Sequence, residues 1–279
     1  MTTLITGGCG NTGSKLARLI QTASRPLLIA SRSGTAPEPY KAVKFDWSDA
    51  STFENPFKAD SNIDKVYIVI SNIFDVLPIV QPFVDLSIAK GVKRFVLLSG
   101  SHTHKAGPYI GKLHEYIENT GVDFTVLRPT SFIENFAGVF AHSIRERNEI
   151  VSTAGNGRTP FVSGEDIAKA AFDALFADKS PNKEYYVVGP GLYSHDEVAS
   201  LFSEILGRKV THRRITGEEE RAMLESVGMP PDQADFVSSA GQETAEGTEE
   251  ALVGRNNTIQ GTHTLREFIE TNKHVWMKE

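Results

Sequence analysis

Three observations predict an α/β protein built on a doubly wound, mostly parallel Rossmann-type sheet with a smaller, mainly helical C-terminal lobe. Short, continuously apolar runs alternate with segments of helical spacing, a glycine cluster follows the first run at once, and helical patterns dominate beyond about residue 190. Residues 1–190 are expected to form the sheet domain, with parts of 131–160 lent to the lobe, and residues 191–279 to form the lobe itself.

The first strand is "TLITGG", and "GSKLARLIQTA" carries Leu16, Leu19 and Ile20 at helical spacing. Gly7, Gly10 and Gly13 therefore stand at a strand-to-helix turn, with Asn11 and Thr12 inside it. In such a turn the first glycine permits the reversal, the middle one lets the backbone approach a pyrophosphate, and the last lets the helix pack close on the strand. The helix N-terminus adds unpaired N–H groups and partial positive charge. The glycines with their flanks thus point to a dinucleotide. "PLLIASRS" (26–33) reads as the second strand and delivers Ser31, Arg32 and Ser33 at its end. An acidic residue there binds a ribose 2′-hydroxyl, whereas arginine accommodates a 2′-phosphate, so NADPH is the expected cofactor.

"VKFDW" (43–47) is the expected third strand, and its Asp46 and Trp47 either hold the adenine or are a strand-end aspartate and a core tryptophan. "KVYIVIS" (65–71) is the fourth, leading into Ser71, Asn72, Ile73, Phe74 and Asp75. "LPIVQPFVDLSIAKGV" suits a helix ending near Gly91, kinked or opened by Pro82. "KRFVLLSGS" (93–101) is the fifth strand, bringing Ser99 and Ser101 to its end, and "FTVLRPT" (124–130) and "EYYVVGP" (184–190) follow as strands. A helix is expected from Pro108, another over 162–176, and two more in "YSHDEVASLFSEILG" and "GEEERAMLESVG". Ser194 with Glu197 reads as a helix cap, which assigns His195 and Asp196 to capping. Residues 236–258 carry no motif, "SSAGQETAEGTEEALVGRNN" reads as a mobile acidic segment, and "LREFIETNKHVWMKE" reads as a last amphipathic helix.

Composition narrows the function classes. The net charge is −6 without a Lys/Arg run, and no stretch of eighteen apolar residues occurs, so neither a nucleic acid nor a membrane is the expected partner. Cys9 is the only cysteine and reads as a small structural residue in the turn. No secretory signal is recognisable, and a cytoplasmic monomer or homodimer with a small-molecule substrate is expected. The eight histidines lack ligand spacing and no Gly-x-Ser-x-Gly occurs, so no metal and no nucleophilic triad are expected.

"TGGCGNTG", "GVKRFVLLS" (91–99), "FTVLRPTSFIENF" (124–136), "FVSGEDIA" (161–168) and "NKEYYVVGPGLYSHDEVASLFSEILGRKV" (182–210) resemble the NmrA-like atypical short-chain dehydrogenases/reductases. Within them "ESVGMPPDQA" (225–234) is most similar to the festuclavine and agroclavine dehydrogenases of ergot alkaloid biosynthesis. The resemblance implies NADPH-dependent reduction of a cyclic iminium. The family also includes redox sensors without turnover, and a same-fold enzyme steering a non-redox cyclisation is a further alternative.

Ketone-reducing short-chain dehydrogenases use a Tyr-x-x-x-Lys pair to protonate the nascent alkoxide. Here that spacing occurs only at Tyr40 and Lys44, far from the expected place, where Tyr109 precedes Lys112 by three residues. A reduced iminium is a neutral amine and needs no proton, so the missing pair suits imine chemistry. Tyr109, Lys112 and His114 are the catalytic candidates, His114 either touching substrate or hydrogen-bonded at the core edge. Phe74, Tyr109, Phe132 and Phe136 are aromatic candidates for a cationic substrate, or core residues, with Asp75 as counter-charge or helix cap. Pro129, Thr130 and Phe132 are expected to wall the nicotinamide.

Overall fold

A computed structural model describes residues 1–70 and 73–278. In chain order the elements are β1 (Thr2–Thr6), α1 (Asn11–Thr22), β2 (Leu27–Ser31), β3 (Ala42–Lys44), α2 (Asn55–Ala59), β4 (Ile63–Ile68), α3 (Leu77–Ala89), β5 (Arg94–Leu98), α4 (Ile110–Asn119) and β6 (Asp123–Pro129). They continue with β7 (Glu149–Ser152), β8 (Arg158–Thr159), α5 (Gly164–Phe176), β9 (Lys183–Val188), β10 (Tyr193–Ser194), α6 (His195–Leu206), β11 (Thr211–Arg214), α7 (Gly217–Ser226), α8 (Pro231–Ala245), β12 (Thr258–Gln260) and α9 (Leu265–Thr271).

The main sheet has eight strands in the order β12-β9-β6-β5-β4-β1-β2-β3. From β3 to β6 every pairing is parallel, and the 3-2-1-4-5-6 order is that of a Rossmann sheet, with its switch between β1 and β4. The apolar runs form these strands because both faces are covered. Leu4, Val66, Ile68, Phe95, Leu97 and Val126 are buried in one core with Val80, Phe83 and Val84 of α3 and Leu113 and Ile117 of α4. Each such side chain contributes roughly 1.5–3 kcal/mol relative to exposure. Pro82 lies inside α3 and does not end it.

The chain divides into two compact units. The first comprises Met1–Pro129 and Ile167–Tyr186, and the second Thr130–Asp166 and Val187–Glu279. The second unit has strands of its own, with β11 parallel to β7 and β10 antiparallel to β8. Its core gathers Phe136, Phe161, Val198, Phe202, Leu265, Ile269 and Trp276.

Two expectations are corrected here. The acidic segment read as mobile is α8 up to Ala245, followed by a tight helical turn over Glu250–Leu252. α8 packs through small residues that apolar periodicity passes over. Ala234, Ser238 and Thr244 are buried, Ser238 Oγ donates to the Gly217 carbonyl at 3.0 Å, and a Cβ on Gly241 would stand 1.9 Å from Thr153 Oγ1. The last helix is shorter than expected, because α9 ends at Thr271 and Trp276 turns in, fully buried, to donate Nε1–H to the Phe136 carbonyl at 2.8 Å.

Candidate functional site

The turn after β1 is built by backbone approach. Gly7 has φ +65°, and its carbonyl accepts from Gly10 N at 2.9 Å. A Cβ on Gly13 would lie 2.4 Å from that same carbonyl oxygen and 2.8 Å from Gly8 Cα, so no side chain fits. No side chain caps α1 and no acidic residue occupies its first turn, which leaves its N-terminal field open toward an anion. The turn is propped from below. The buried Tyr67 hydroxyl donates to Thr12 Oγ1 at 3.1 Å, and Thr6 Oγ1 ties into the end of β4 by accepting from Val69 N at 2.8 Å. Asn11 takes a hydrogen bond from Lys15 on the outer side, and the Cys9 thiol is exposed.

At the end of β2, Ser31 Oγ donates to the Thr35 carbonyl at 2.7 Å and Ser33 shares a 2.7 Å hydrogen bond with Thr35 Oγ1. Arg32 is exposed and near enough to Asp46 to favour its ionised form. Asp46 is chiefly held below the usual carboxylate range by the Ser48 hydroxyl and amide, donating at 2.6 and 2.9 Å. Trp47 donates Nε1–H to the Val69 carbonyl at 3.1 Å, and its ring packs edge-on against Phe45 and Phe83. Of the two readings of Asp46 and Trp47, these bonds support a strand-end turn and a tryptophan at the core margin. Ser71 and Asn72 lie outside the described residues, and Ile73 packs half-buried against the first unit's core.

The loop after β5 carries a second set. Ser99 N and Ser101 N donate to the Leu127 and Pro129 carbonyls at 2.8 and 2.9 Å, while Ser99 Oγ is a buried hydroxyl without a hydrogen-bond partner. Tyr109 opens α4 at φ 62° and ψ −123°, a backbone state that strains any residue with a Cβ. Its ring stacks on Phe74 at 5.8 Å between centroids and 16° between planes, and burial raises its hydroxyl pKa. Asp75 and Lys112 are exposed. His114, expected to touch substrate or to be hydrogen-bonded at the core edge, is only 3% exposed. Its Nδ1 makes no hydrogen bond and lies 3.6 Å from Glu184 Oε2, and burial lowers its pKa against the pull of that carboxylate.

Sequence reasoning passed over the group beside it. Arg128, also 3% exposed, donates Nη1–H to both Glu184 oxygens at 3.0 and 3.1 Å, Nη2–H to the Ser101 carbonyl at 2.8 Å and Nε–H to the Gly100 carbonyl at 3.3 Å. Its guanidinium stacks over Tyr186 at 4.6 Å. The only sequence signal was an arginine inside an otherwise apolar strand, which a buried partner alone explains.

In the second unit two expectations change. Thr130 is buried, with its hydroxyl donated to the Pro160 carbonyl at 2.6 Å. Phe136 is 0% exposed among Phe140, Phe161 and Phe202, so it is a core residue, as its alternative reading had it. Phe132 is half-buried and bridges to Val162. Ser194 and Glu197 form the expected capping box, but His195 and Asp196 lead elsewhere. His195 is buried 5.3 Å from the ring of His212, and desolvation holds its pKa down at about 4. Asp196 pairs with Arg214 and stands 3.3 Å from His212 Nδ1, and Ser152 Oγ shares a 2.9 Å hydrogen bond with His212 Nε2.

Among the described residues no group of three or more His, Cys, Asp or Glu is placed to hold a metal, and no helix is long and apolar enough to cross a membrane. The glycine turn that excludes a Cβ, the uncapped α1 and the unpartnered Ser99 hydroxyl fit a dinucleotide lying along the C-terminal strand edge.

Comparison with known proteins agrees with this architecture. Agroclavine dehydrogenase of Claviceps fusiformis is 38% identical over 286 residues, covering 99% of each chain, and festuclavine synthase II of Penicillium roqueforti is 36% identical over 99% of this chain and 100% of its own. The crystal structure of an NADPH-dependent quinone oxidoreductase from Escherichia coli, complexed with NADPH, superposes with a TM-score of 0.77 at 20% identity, covering 96% of this chain and 99% of that one, a likeness of fold. The NmrA-like family model matches residues 2–236, and the chain belongs to the NmrA-like family.

Proposed function

We propose that this chain is an NADPH-dependent oxidoreductase that reduces a cyclic iminium (C=N) intermediate to an amine in alkaloid metabolism. Full-length similarity to proteins named agroclavine dehydrogenase and festuclavine synthase supports the oxidoreductase class and the alkaloid substrate. The observation that carries the reading is the glycine turn after β1, where a Cβ on Gly13 would stand 2.4 Å from the Gly7 carbonyl oxygen, the close helix-on-strand approach that a dinucleotide-binding turn uses.

NADPH supplies a hydride when bound. The turn and the N-terminus of α1 hold its pyrophosphate, Arg32 with Ser31 and Ser33 takes the 2′-phosphate, and Ser99 Oγ offers its unused hydrogen-bonding capacity at the other end. Phe74 and Tyr109 present stacked aromatic faces to a delocalised cation, with Asp75 as counter-charge and Lys112 free to reach the ribose. Since the iminium carbon becomes part of a neutral amine, no proton has to be delivered. The absence of a Tyr-x-x-x-Lys pair after β5 and the burial of a neutral His114 accord with that requirement.

The test is NADPH oxidation by the purified protein with a panel of cyclic iminium ions and matched ketones. Oxidation with the iminium ions and none with the ketones is expected. NADPH binding without oxidation across the panel would replace this reading with a sensor, and product formation indifferent to NADPH or NADP⁺ with a non-redox enzyme.

A further inference from the structure

We propose that Arg128 is a positioning residue whose buried guanidinium, anchored on Glu184, sets the backbone of the Ser99–Ser101 loop at the reacting end of the site. The inference rests on the proposed placement of the cofactor along this strand edge. Arginine has five N–H donors in a rigid plane, and here that plane joins two consecutive carbonyls, Gly100 and Ser101, to one carboxylate. Fixing both carbonyls fixes the Gly100–Ser101 and Ser101–His102 peptide planes, which begin one residue beyond Ser99, the residue whose hydroxyl is buried and unpartnered. A lysine keeps the charge but is a point donor and does not span the three acceptors. The carboxylate comes from β9, 56 residues away, and the carbonyls from 27 and 28 residues before Arg128, so the loop's shape depends on a long-range contact.

His114 reports on the same group. The charges that face it are Glu184 on β9, Arg128 on β6, Glu118 on its own helix and Lys105 in the preceding loop. With Arg128 in place both Glu184 oxygens are paired with its Nη1, and His114 has little to gain from a proton. Removing the guanidinium leaves Glu184 facing the imidazole 3.6 Å away without that counter-charge, which favours the protonated histidine.

The variants are Arg128→Lys, Arg128→Met and Arg128→Met/Glu184→Gln, studied in the full chain. In Arg128→Lys the amide resonances of Ser99–Ser101 are expected to move while those of Gly7–Gly13 stay in place. The turnover number should fall ~10- to 100-fold with NADPH affinity within about twofold of wild type, the size expected of a small misplacement at the reacting centre. In Arg128→Met the NMR titration midpoint of His114 should rise by about one unit or more, and adding Glu184→Gln should reverse the rise. Unmoved Ser99–Ser101 amides in Arg128→Lys, or an unmoved His114 midpoint in Arg128→Met, overturn the inference whether or not the wild type turns over a substrate. If Arg128→Met does not fold, Arg128→Lys decides alone. Failure of the wild type to oxidise NADPH with any iminium ion overturns the functional reading instead, and leaves the loop measurement to judge Arg128.

Discussion

The two ends of the candidate site are made by different means. After β1 the site is backbone: a turn into α1 in which Gly7 stands at φ +65° and a Cβ on Gly13 would approach the Gly7 carbonyl oxygen to 2.4 Å. After β5 it is a loop whose carbonyls are held by Arg128, itself held by Glu184 from a distant strand. A backbone site is as rigid as its turn and tolerates no added atom. A side-chain site is only as well placed as its farthest partner. Substitutions should therefore abolish binding at the first end and degrade turnover at the second.

The largest effect is expected from Gly13→Ala, because its methyl group meets backbone that cannot rotate away. NADPH affinity measured calorimetrically should fall at least ~100-fold, about 2.8 kcal/mol, and an affinity within threefold of wild type would show that the turn is not the phosphate cradle.

Next comes acid. His195, another side chain placed by long-range packing, has its folded pKa depressed from 6.5 to about 4 by burial. Between those values the unfolded chain binds a proton that the folded chain refuses, so stability is complete above pH 6.5 and declines as pH falls toward 4, by up to roughly 3 kcal/mol. Urea midpoints at pH 7 and 4.5 measure it. Replacing His195 by Phe should flatten that dependence, and an equally steep loss in the variant would assign it to other groups.

Arg32→Asp tests the open rim of the backbone end. The ratio of NADPH to NADH affinity should drop ~10- to 100-fold, since a charge-assisted contact of about 1.5–3 kcal/mol is removed and a repulsion added. An unchanged ratio would mean that Arg32 is only a solvated charge.

The smallest effect is expected from Ser194→Ala, which removes the cap of α6 and should lower stability by about 1 kcal/mol with NADPH affinity unchanged. Any loss of NADPH affinity would show that the cap also serves the site.

What was legible in the chain follows its local character. The places of the strands along the chain, the glycine turn, the Ser194 cap and the helix over 164–176 rest on residues within a few positions of one another, where periodicity and turn chemistry act. The third strand came out shorter than read, at Ala42–Lys44, because Asp46 turns back onto Ser48. α8 was hidden because its packing face is made of Ala, Ser, Gly and Thr, which carry no apolar signature.

By itself, then, the sequence determined the α/β class, the position of the glycine turn after the first strand and the absence of the usual proton-donating pair. Only the tertiary structure decided which polar groups are buried together. It put His114 inside rather than at the margin, gave the Thr130 hydroxyl to Pro160, enclosed Phe136 in the core, strained Tyr109 onto Phe74, and brought Glu184 to Arg128. The reason is physical. Backbone turns obey sterics of adjacent residues, whereas the desolvation of a charge is offset only by partners that the fold brings from elsewhere in the chain.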